Sequence, residues 1–408
     1  MLTEFIGNSM KISEPTSLAL IIQRIFFIIF SAILTAMQIL NLSTAVPKNK
    51  YSTEELIRSF PCQIPEQVKE NILNLGVVKR HVISYATSPL KSETILNEAD
   101  LTNLCLEACE DAVKNADISI KNIGYFIMTY DVNPFLCPGL SQLLVRKLGF
   151  NPYIKYVNVQ GMACAAFTKA LELAENYLAT NPEDYVLLCI SGVNSYWFHN
   201  QIRGIKELME INQINQIKNN ANRQLELRKW IATMEFFLFG DGVAAVIGTN
   251  KREGLAVRKI VEVTNLGKKD YLAGYARLST LNEPFKFGLY SHLDKKIPQL
   301  GIKYTDKALK RLLGKSFAKI TSTAKKWAVH TGSEKILKAL AEHNGIRHEK
   351  ISESHKILRE YGNLAGASLP FILKQIVLDN KFSEGDIVLM LGYGWGFSAS
   401  AAMLEYEK

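Results

Sequence analysis

Twice along this chain an apolar run of strand length ends in a turn of small residues that opens a helical pattern, and both times the turn region carries a chemically capable side chain. In the first half, residues 156–159 lead into Gly161-Met-Ala-Cys164-Ala-Ala, helical spacing over 165–179 and a further strand at 185–191. In the second half, a strand over 327–330 ends at His330-Thr-Gly332 and helical spacing covers 334–344. A second turn, Tyr361-Gly-Asn363-Leu-Ala-Gly-Ala-Ser368, then opens another helix before a strand at 387–392. Strand, turn and helix recurring in both halves is what two related α/β lobes produce.

With 408 residues, 48% of them hydrophobic, the chain can bury a large core. The expected organisation is an extension over 1–36, a first lobe over 37–250 and a second over 251–408. Helical spacing covers 54–60, 65–75 and 98–115, the last with Leu101, Leu104, Cys105, Ala108 and Ala112 on one face, followed by a strand at 125–130. Pro134 and Pro138-Gly139 break the chain before a helix at 140–148, and a further helix is expected over 303–313. Residues 199–231, polar and rich in Asn and Gln, read as a helical insertion on the surface. Residues 236–248, with Gly240-Asp241-Gly242, read as a turn between two apolar strands.

The six Cys residues (62, 105, 109, 137, 164 and 189) form no paired framework. Cys105 and Cys109 sit at i, i+4 without a second pair of ligands, and the His residues do not cluster, so no metal is expected. A formal charge of +9 suits an anionic ligand such as a nucleotide-bearing coenzyme. No basic run is interleaved with aromatics, which argues against nucleic acid. The stretch between Leu18 and Leu42 approaches the length of a membrane span, but Gln23 and Arg24 interrupt it, and a signal peptide fits poorly. Three readings stay open: a membrane-associated helix, a helix docked on the protein, or an extension outside the fold. From Met37 onward the chain already reads as a strand and turn. The thiols point to a cytoplasmic protein, peripheral to a membrane if the first of those readings holds.

The chemistry lies in the turns. Cys164 is flanked by Gly161, Ala163, Ala165 and Ala166, so nothing bulky shields the sulfur. At a helix N-terminus a thiolate meets the positive end of the macrodipole, and a nearby imidazolium would lower its pKa further. Taken alone, a Cys among small residues also suits tight helix packing. His330 stands at a strand end, where side chains face the crevice of an α/β sheet. Asn363 alone could be a turn or N-cap residue. Together the three supply a nucleophile for acyl groups and two donors for a second thioester carbonyl.

These segments resemble the thiolase superfamily, specifically the decarboxylating condensing enzymes: β-ketoacyl-ACP synthase III and the chalcone-synthase-like type III polyketide synthases. Phe239-Gly-Asp-Gly-Val-Ala-Ala-Val246 is similar to an FGDGAAA signature, and Gly288-Leu-Tyr-Ser-His-Leu-Asp-Lys-Lys-Ile-Pro298 to the type III GL-x-x-x-L-x-x-x-VP segment. Ile357-Leu-Arg-Glu-Tyr-Gly-Asn363 and the glycine loop Gly392-Tyr-Gly-Trp-Gly396 continue the match. The resemblance implies a five-layered αβαβα fold of two pseudo-repeated lobes, usually a homodimer, with Cys164, His330 and Asn363 as the triad. It implies that Cys164 takes an acyl group from CoA or an acyl carrier protein, while His330 and Asn363 stabilise the enolate left when malonyl-CoA loses CO2. Acyl-CoA, malonyl-CoA and carrier phosphopantetheine thioesters are then substrates, and no cofactor is held permanently. The oxyanion donors would be the Cys164 N–H and the loop Gly394, Trp395 and Gly396. Phe239 would be a gatekeeper, Ser291 would stand where a second gatekeeping Phe is usual, and Cys137 where a Met reaches into a partner's pocket. Lys79 and Arg80 would lie near the coenzyme phosphates, although a solvated basic patch reads equally well.

The chain departs from the usual His-Pro-Gly with His330-Thr331-Gly332. Gly-Met-Ala-Cys-Ala-Ala is closer to synthase III and the plant very-long-chain ketoacyl synthases than to the plant chalcone type. Three functions are weighed: a type III polyketide synthase-like condensing enzyme, a synthase III making a single condensation, and a non-catalytic acyl-thioester-binding protein. A non-decarboxylating thiolase needs a second catalytic Cys near the C-terminus, and no Cys follows Cys189. On the catalytic readings, Cys164 should be the thiol that iodoacetamide alkylates fastest at neutral pH.

Overall fold

Strands that are apolar on both faces require helices on both sides, and this requirement sets the architecture. The computed structural model describes residues 36–83, 98–131, 137–202, 204–267, 270–278 and 289–408. Most of the stretch between Leu18 and Leu42, and Pro134 and Gly288, lie outside the described residues. No helix among the described residues is long and apolar enough to cross a membrane.

In chain order the strands are β1 (Gln38–Ala45), β2 (Lys50–Ser52), β3 (Lys79–His81), β4 (Ile123–Tyr130), β5 (Lys155–Gln160), β6 (Tyr185–Gly192) and β7 (Gly242–Thr249). They continue with β8 (Gly254–Val263), β9 (Gly274–Leu278), β10 (Leu289–Leu293), β11 (Lys326–Val329), β12 (Ile387–Tyr393) and β13 (Ala399–Glu407). Nine of them form one sheet in the order β11-β12-β13-β8-β1-β7-β6-β4-β5. Read outward from the β1/β8 contact, both wings repeat one pattern. Antiparallel, antiparallel and parallel pairings give β1-β7-β6-β4 on one side and β8-β13-β12-β11 on the other. Within the sheet the wings join where Gln38 and Ile39 pair with Ala256 and Leu255.

Period-two alternation along the strands distributes their side chains between a central and an outer layer. Val186, Leu188 and Ile190 of β6 face a core shared with both Phe167 and Leu171 of the helix Ala166–Leu178 and Leu369 and Ile372 of the helix Ser368–Asp379. Leu187 and Cys189, between them in sequence, face the outer helices Glu98–Asn115 and Leu140–Leu148. In the other wing, Leu389 and Leu391 of β12 face Leu309 and Leu312 of the helix Ile297–Leu313 and Leu337 and Leu340 of Glu334–His343. Helix, wing, central helices, wing and helix thus make five layers, the thiolase architecture that the resemblance implies. Each fully buried Leu, Ile or Phe contributes roughly 1.5–3 kcal/mol, so the shared central layer is a large part of what holds the wings together.

Two expectations are corrected. Residues 236–238 are not strand: the helix Asn220–Leu238 runs through them, and Gly240-Asp241-Gly242 joins a helix to β7. Residues 199–231 are largely helical but are not a mere surface excursion. Ile202, Ile205, Ile214 and Ile231 are buried, and Ile202 and Ile205 share an apolar cluster with Cys164 and Phe239. The Asn and Gln residues hid this inward face.

Where the helix ends, Phe239 forms a single parallel bridge with Asn363. The Asn363 N–H donates to the Leu238 carbonyl at 2.9 Å and the Gly240 N–H to the Asn363 carbonyl at 3.2 Å. A Cβ on Gly240 would enter the Tyr361 carbonyl oxygen. Gly240→Ala should therefore lower stability by roughly 1–3 kcal/mol, the range for overpacking, measured as the urea midpoint at constant m-value; an unchanged midpoint would show that the contact yields freely.

Candidate active site

The chain reaches Cys164 through a strained turn. After β5, Gly161 has φ +78° and Ala163 has φ +44°, a left-handed conformation that costs a non-glycine residue on the order of 1 kcal/mol or more. A short 3-10 turn, Ala163–Ala165, then passes into the helix Ala166–Leu178, so Cys164 sits at its beginning. The second wing repeats the turn. Ala365 has φ +47°, Ala365–Ala367 is again 3-10, and the helix Ser368–Asp379 follows. Gly366 is the residue after the left-handed alanine, as Cys164 is in the first turn. The two turns pack against each other, because a Cβ on Gly366 would lie 3.0 Å from the Ala163 carbonyl and 2.9 Å from the Ala166 Cβ.

His330 is the first residue beyond β11, and its N–H donates to the Leu391 carbonyl of β12 at 2.9 Å. β12 continues to the Cys164 turn: a Cβ on Gly394 would be 3.6 Å from the Cys164 nitrogen and one on Gly392 3.9 Å from the Cys164 carbonyl. Between them, Tyr393 sets its ring edge-on to His330 at 5.2 Å. A cavity of about 870 Å³ opens beside the Cys164 turn, lined by Cys164, Asp131, Phe239, Ala365, Trp395 and Gly396 among others. Phe198 stacks on Phe239 at 4.5 Å and also lines it. Ala365, two residues beyond Asn363, lines the cavity beside Cys164, whereas the Asn363 and His330 side chains stand behind the lining. Asp131 follows β4 and Gln160 ends β5, so the cavity lies at the carboxyl ends of parallel strands, where α/β sheets hold ligands.

Burial governs the charges. His330 is 1% exposed, and desolvation lowers its pKa to about 3, so the imidazole is neutral at pH 7. Its Nδ1 has no partner among the described residues. Burial, followed by the negative charge of Asp131, pushes the Cys164 thiol up, against the opposing pull of its own backbone N–H. Asp131 itself is raised by burial while its carboxylate accepts from the Ala163 N–H at 3.3 Å and from the Gly161 N–H. The resting pair is thus thiol and imidazole, and the expected imidazolium that depresses the Cys164 pKa is corrected.

The remaining sequence candidates separate. Gly394 packs on the Cys164 turn, and Trp395 and Gly396 line the cavity. Arg80 does not face a coenzyme phosphate: it is 1% exposed, donates to the Phe236 carbonyl at 2.9 Å and the Thr53 hydroxyl at 2.7 Å, and lies over the Phe237 ring. It braces the helix that ends at Phe239. Burial lowers even its pKa to about 9. Lys79 is half-exposed in an ion pair with Glu360 at 3.2 Å. Cys137 is exposed. Ser291 is buried beside the carboxyl of Glu235, while its cross-strand partner Ala276 lines the cavity. Sequence reasoning missed Asp131, Tyr393 and Glu235. Asp131 had one signal, an acidic residue that follows the strand beside the one leading to Cys164. Glu235 had none, because it falls between the helical reading of 199–231 and the strand reading that starts at 236.

The chain matches two family profiles. Residues 77–205 match the FAE1/type III polyketide synthase-like protein family, and residues 319–406 match the 3-oxoacyl-[acyl-carrier-protein] synthase III C-terminal family. Among curated relatives, a 3,5-dihydroxyphenylacetyl-CoA synthase of Amycolatopsis orientalis is 22% identical over 375 residues, 89% of this chain and 92% of its own. A phloroglucinol synthase of Pseudomonas fluorescens is 24% identical over 83% of this chain and 88% of its own. A β-ketoacyl-[acyl-carrier-protein] synthase III of Sodalis glossinidius is 24% identical over 74% and 82%. The crystal structure of a 1,3,6,8-tetrahydroxynaphthalene synthase from Streptomyces coelicolor superposes with TM-score 0.73 at 19% identity, covering 91% of this chain and 99% of the other.

The electrostatics reverse the expected order of thiol reactivity. At pH 7 iodoacetamide should alkylate exposed Cys137 before Cys164, and Asp131→Asn should speed alkylation of Cys164 several-fold by removing the charge that opposes the thiolate; peptide mapping of time points reads both, and Cys164 labelling first would contradict a neutral resting thiol. Glu235 is 1% exposed and burial raises its carboxyl to about 8. The folded state therefore holds a proton that the unfolded state releases, and stability falls as pH rises from the ordinary carboxylate range to about 8. Glu235→Gln should remove this loss, raising stability at pH 8 relative to wild type by on the order of 1–3 kcal/mol; parallel pH dependences of the two melting curves would contradict it.

Proposed function

We infer, for a chain that belongs to the thiolase-fold condensing enzymes embracing the type III polyketide synthases and the 3-oxoacyl-ACP synthases III, that it extends an acyl thioester by decarboxylative Claisen condensation with a malonyl thioester. The observation that supports this reading is the packing of the Cys164 turn against both the turn that follows Asn363 and strand β12, whose Tyr393 meets His330, beside a cavity that Cys164 lines. The Cys164 thiol gives up its proton as Sγ attacks the starter thioester carbonyl, the sulfur of CoA or phosphopantetheine leaves and takes up a proton in its place, and the acyl group is held on Cys164. The malonyl thioester then enters. Its C–CO2 bond breaks and the electron pair passes to the thioester carbonyl, where His330 and Asn363 donate hydrogen bonds to the enolate oxygen. The enolate carbon attacks the acyl-Cys164 carbonyl, and the sulfur leaves as a thiolate. The Cys164 N–H and the loop at Gly394, Trp395 and Gly396 hold the oxyanion of that step. A neutral imidazole suits a donor that must not protonate the enolate outright.

Type III polyketide synthase-like activity, with repeated extension from CoA substrates, is the first form of this reading, supported by relatives that align along most of the chain. A single condensation delivering a β-ketoacyl chain to a carrier protein is the second, favoured by the match of residues 319–406. Incubation with acyl-CoA and malonyl-CoA separates them: free polyketide products support the first, carrier-bound β-ketoacyl chains the second. Assembly as a homodimer belongs to the same proposal and is supported by β5, which ends the sheet with Tyr156 exposed on its free edge.

Cys164→Ala should abolish condensation, and product formation at the wild-type rate would remove the mechanism. His330→Ala and Asn363→Ala should cut CO2 release from malonyl-CoA by about 10²-fold or more, in line with loss of an oxyanion donor, while acylation of Cys164 persists in part. The half-reactions should also differ in pH dependence. Acylation rises with pH because the thiol is held above its ordinary range, whereas CO2 release keeps no acid limb from His330 down to pH 5, its pKa being about 3. A loss of CO2 release centred near pH 6.5 would show that His330 titrates as an ordinary histidine.

A further inference from the structure

Beside the cavity, a chain of buried hydroxyls connects the His330 turn to the Asn363 carboxamide. Thr331 and Ser368 are both 0% exposed, and the Thr331 hydroxyl donates to Ser368 Oγ at 2.8 Å. Ser368 Oγ also accepts from the Leu364 N–H at 3.0 Å. With both acceptor positions used, its one proton points to Asn363 Oδ1, 3.5 Å away. Asn363 Oδ1 accepts a second hydrogen bond, at 2.8 Å, from the Ala365 N–H. Both lone pairs of that oxygen are therefore occupied, whereas Nδ2 has no partner among the described residues. The flipped amide would set its N–H groups against a backbone N–H and a hydroxyl, donor against donor, in a site that is 3% exposed.

We propose that Thr331 and Ser368 are positioning residues for the condensing reaction, a two-hydroxyl relay that fixes the Asn363 carboxamide with its oxygen inward and its N–H2 presented to the substrate carbonyl. The inference rests on the function proposed above. The device belongs to this sequence, since the proline usual at position 331 has no hydroxyl with which to start the relay. It also couples the turn that carries His330 to the side chain that works with it, so the two donors to the enolate share one hydrogen-bonded frame. The relay does not touch Cys164, and acylation should be indifferent to it.

The test compares Thr331→Val, which keeps the shape and loses the donor, with Thr331→Ser, which restores the donor. With malonyl-CoA, kcat for CO2 release should fall about 3–10-fold in Thr331→Val, the loss of one buried hydrogen bond, with KM within about twofold and Cys164 acylation, read by intact mass, unchanged. Thr331→Ser should recover most of the rate. Wild-type CO2 release in Thr331→Val, or equal losses in both half-reactions, would overturn the relay. Should Thr331→Val fail to fold, Thr331→Ala takes its place with the same outcomes. Absence of CO2 release in the wild type itself would instead sink the proposed function. The relay is then judged from a crystal structure of Thr331→Val at atomic resolution: a turned or split Asn363 carboxamide supports it, and an unmoved one overturns it.

Discussion

One short contact between backbones, the bridge of Phe239 with Asn363, decides where the rest of the site stands. It is parallel and only one residue long, yet it joins the end of the helix Asn220–Leu238 in one wing to the turn before Ser368–Asp379 in the other. It can exist only because neither neighbour carries a side chain: Gly240 lies against the Tyr361 carbonyl, and Gly362, at φ +75°, lies against the Leu238 carbonyl. The next residue, Asp241, accepts from the backbone N–H groups of Ile83, Asn194 and Ser195, each at 2.8 Å. Two otherwise separate segments, at Ile83 and at Asn194-Ser195, are thereby gathered on one carboxylate. Arg80 braces the same helix from behind. The cavity wall at Phe239, the floor at Ala365 and the carboxamide of Asn363 are consequently placed by one hydrogen-bonded joint rather than by three independent ones.

Burial, more than any charge partner, then sets the chemistry of the site. Desolvation is the largest influence on Cys164, His330, Asp131 and Tyr393, and for each it favours the neutral form. With Cys164 and His330 neutral, the site holds no thiolate–imidazolium pair, and its dipoles remain free to answer charge that arrives with the proposed reaction. The strained Ala163 and Ala365 fit this picture, because left-handed alanines hold the two turns in one geometry without bringing polar side chains into the cavity.

Much of this was legible from residue order. The helices Glu98–Asn115 and Leu140–Leu148 and the strands ending near Cys164 and His330 follow directly from apolar periodicity and small-residue turns. What escaped has physical reasons. Strand β8 places Arg258 and Lys259 in mid-run, and charges there argue against a strand until β13 supplies Glu405 and Glu407 to pair with Arg258 across the sheet. The helix Asn220–Leu238 ends in Phe236, Phe237 and Leu238, a triplet that reads as strand because consecutive apolar residues carry no helical spacing, although Phe236 and Phe237 both pack on Phe60. Arg80 looked like a surface cation because one sequence cannot show that Thr53 and the Phe236 carbonyl enclose it. The neutral state of Cys164 and His330 was out of reach for the same reason: pKa follows burial, and burial depends on contacts far apart in sequence.

The repeated architecture poses a question that the side chains answer. Two equivalent turns, each a left-handed alanine followed by a 3-10 turn and a helix, face each other across the central layer. A symmetric pair would offer two nucleophiles, but the second turn has Gly366 where the first has Cys164. The space explains why: a Cβ at position 366 would be held 2.9 Å from the Ala166 Cβ and 3.0 Å from the Ala163 carbonyl, tighter than a packed interior tolerates. Close packing of the turns is therefore bought by removing one of the two side chains. Once it is removed, the second wing can contribute only from its edges, through Asn363 before the turn and His330 at the neighbouring strand end. The proposed division into one sulfur and two hydrogen-bond donors follows from how near the two halves approach.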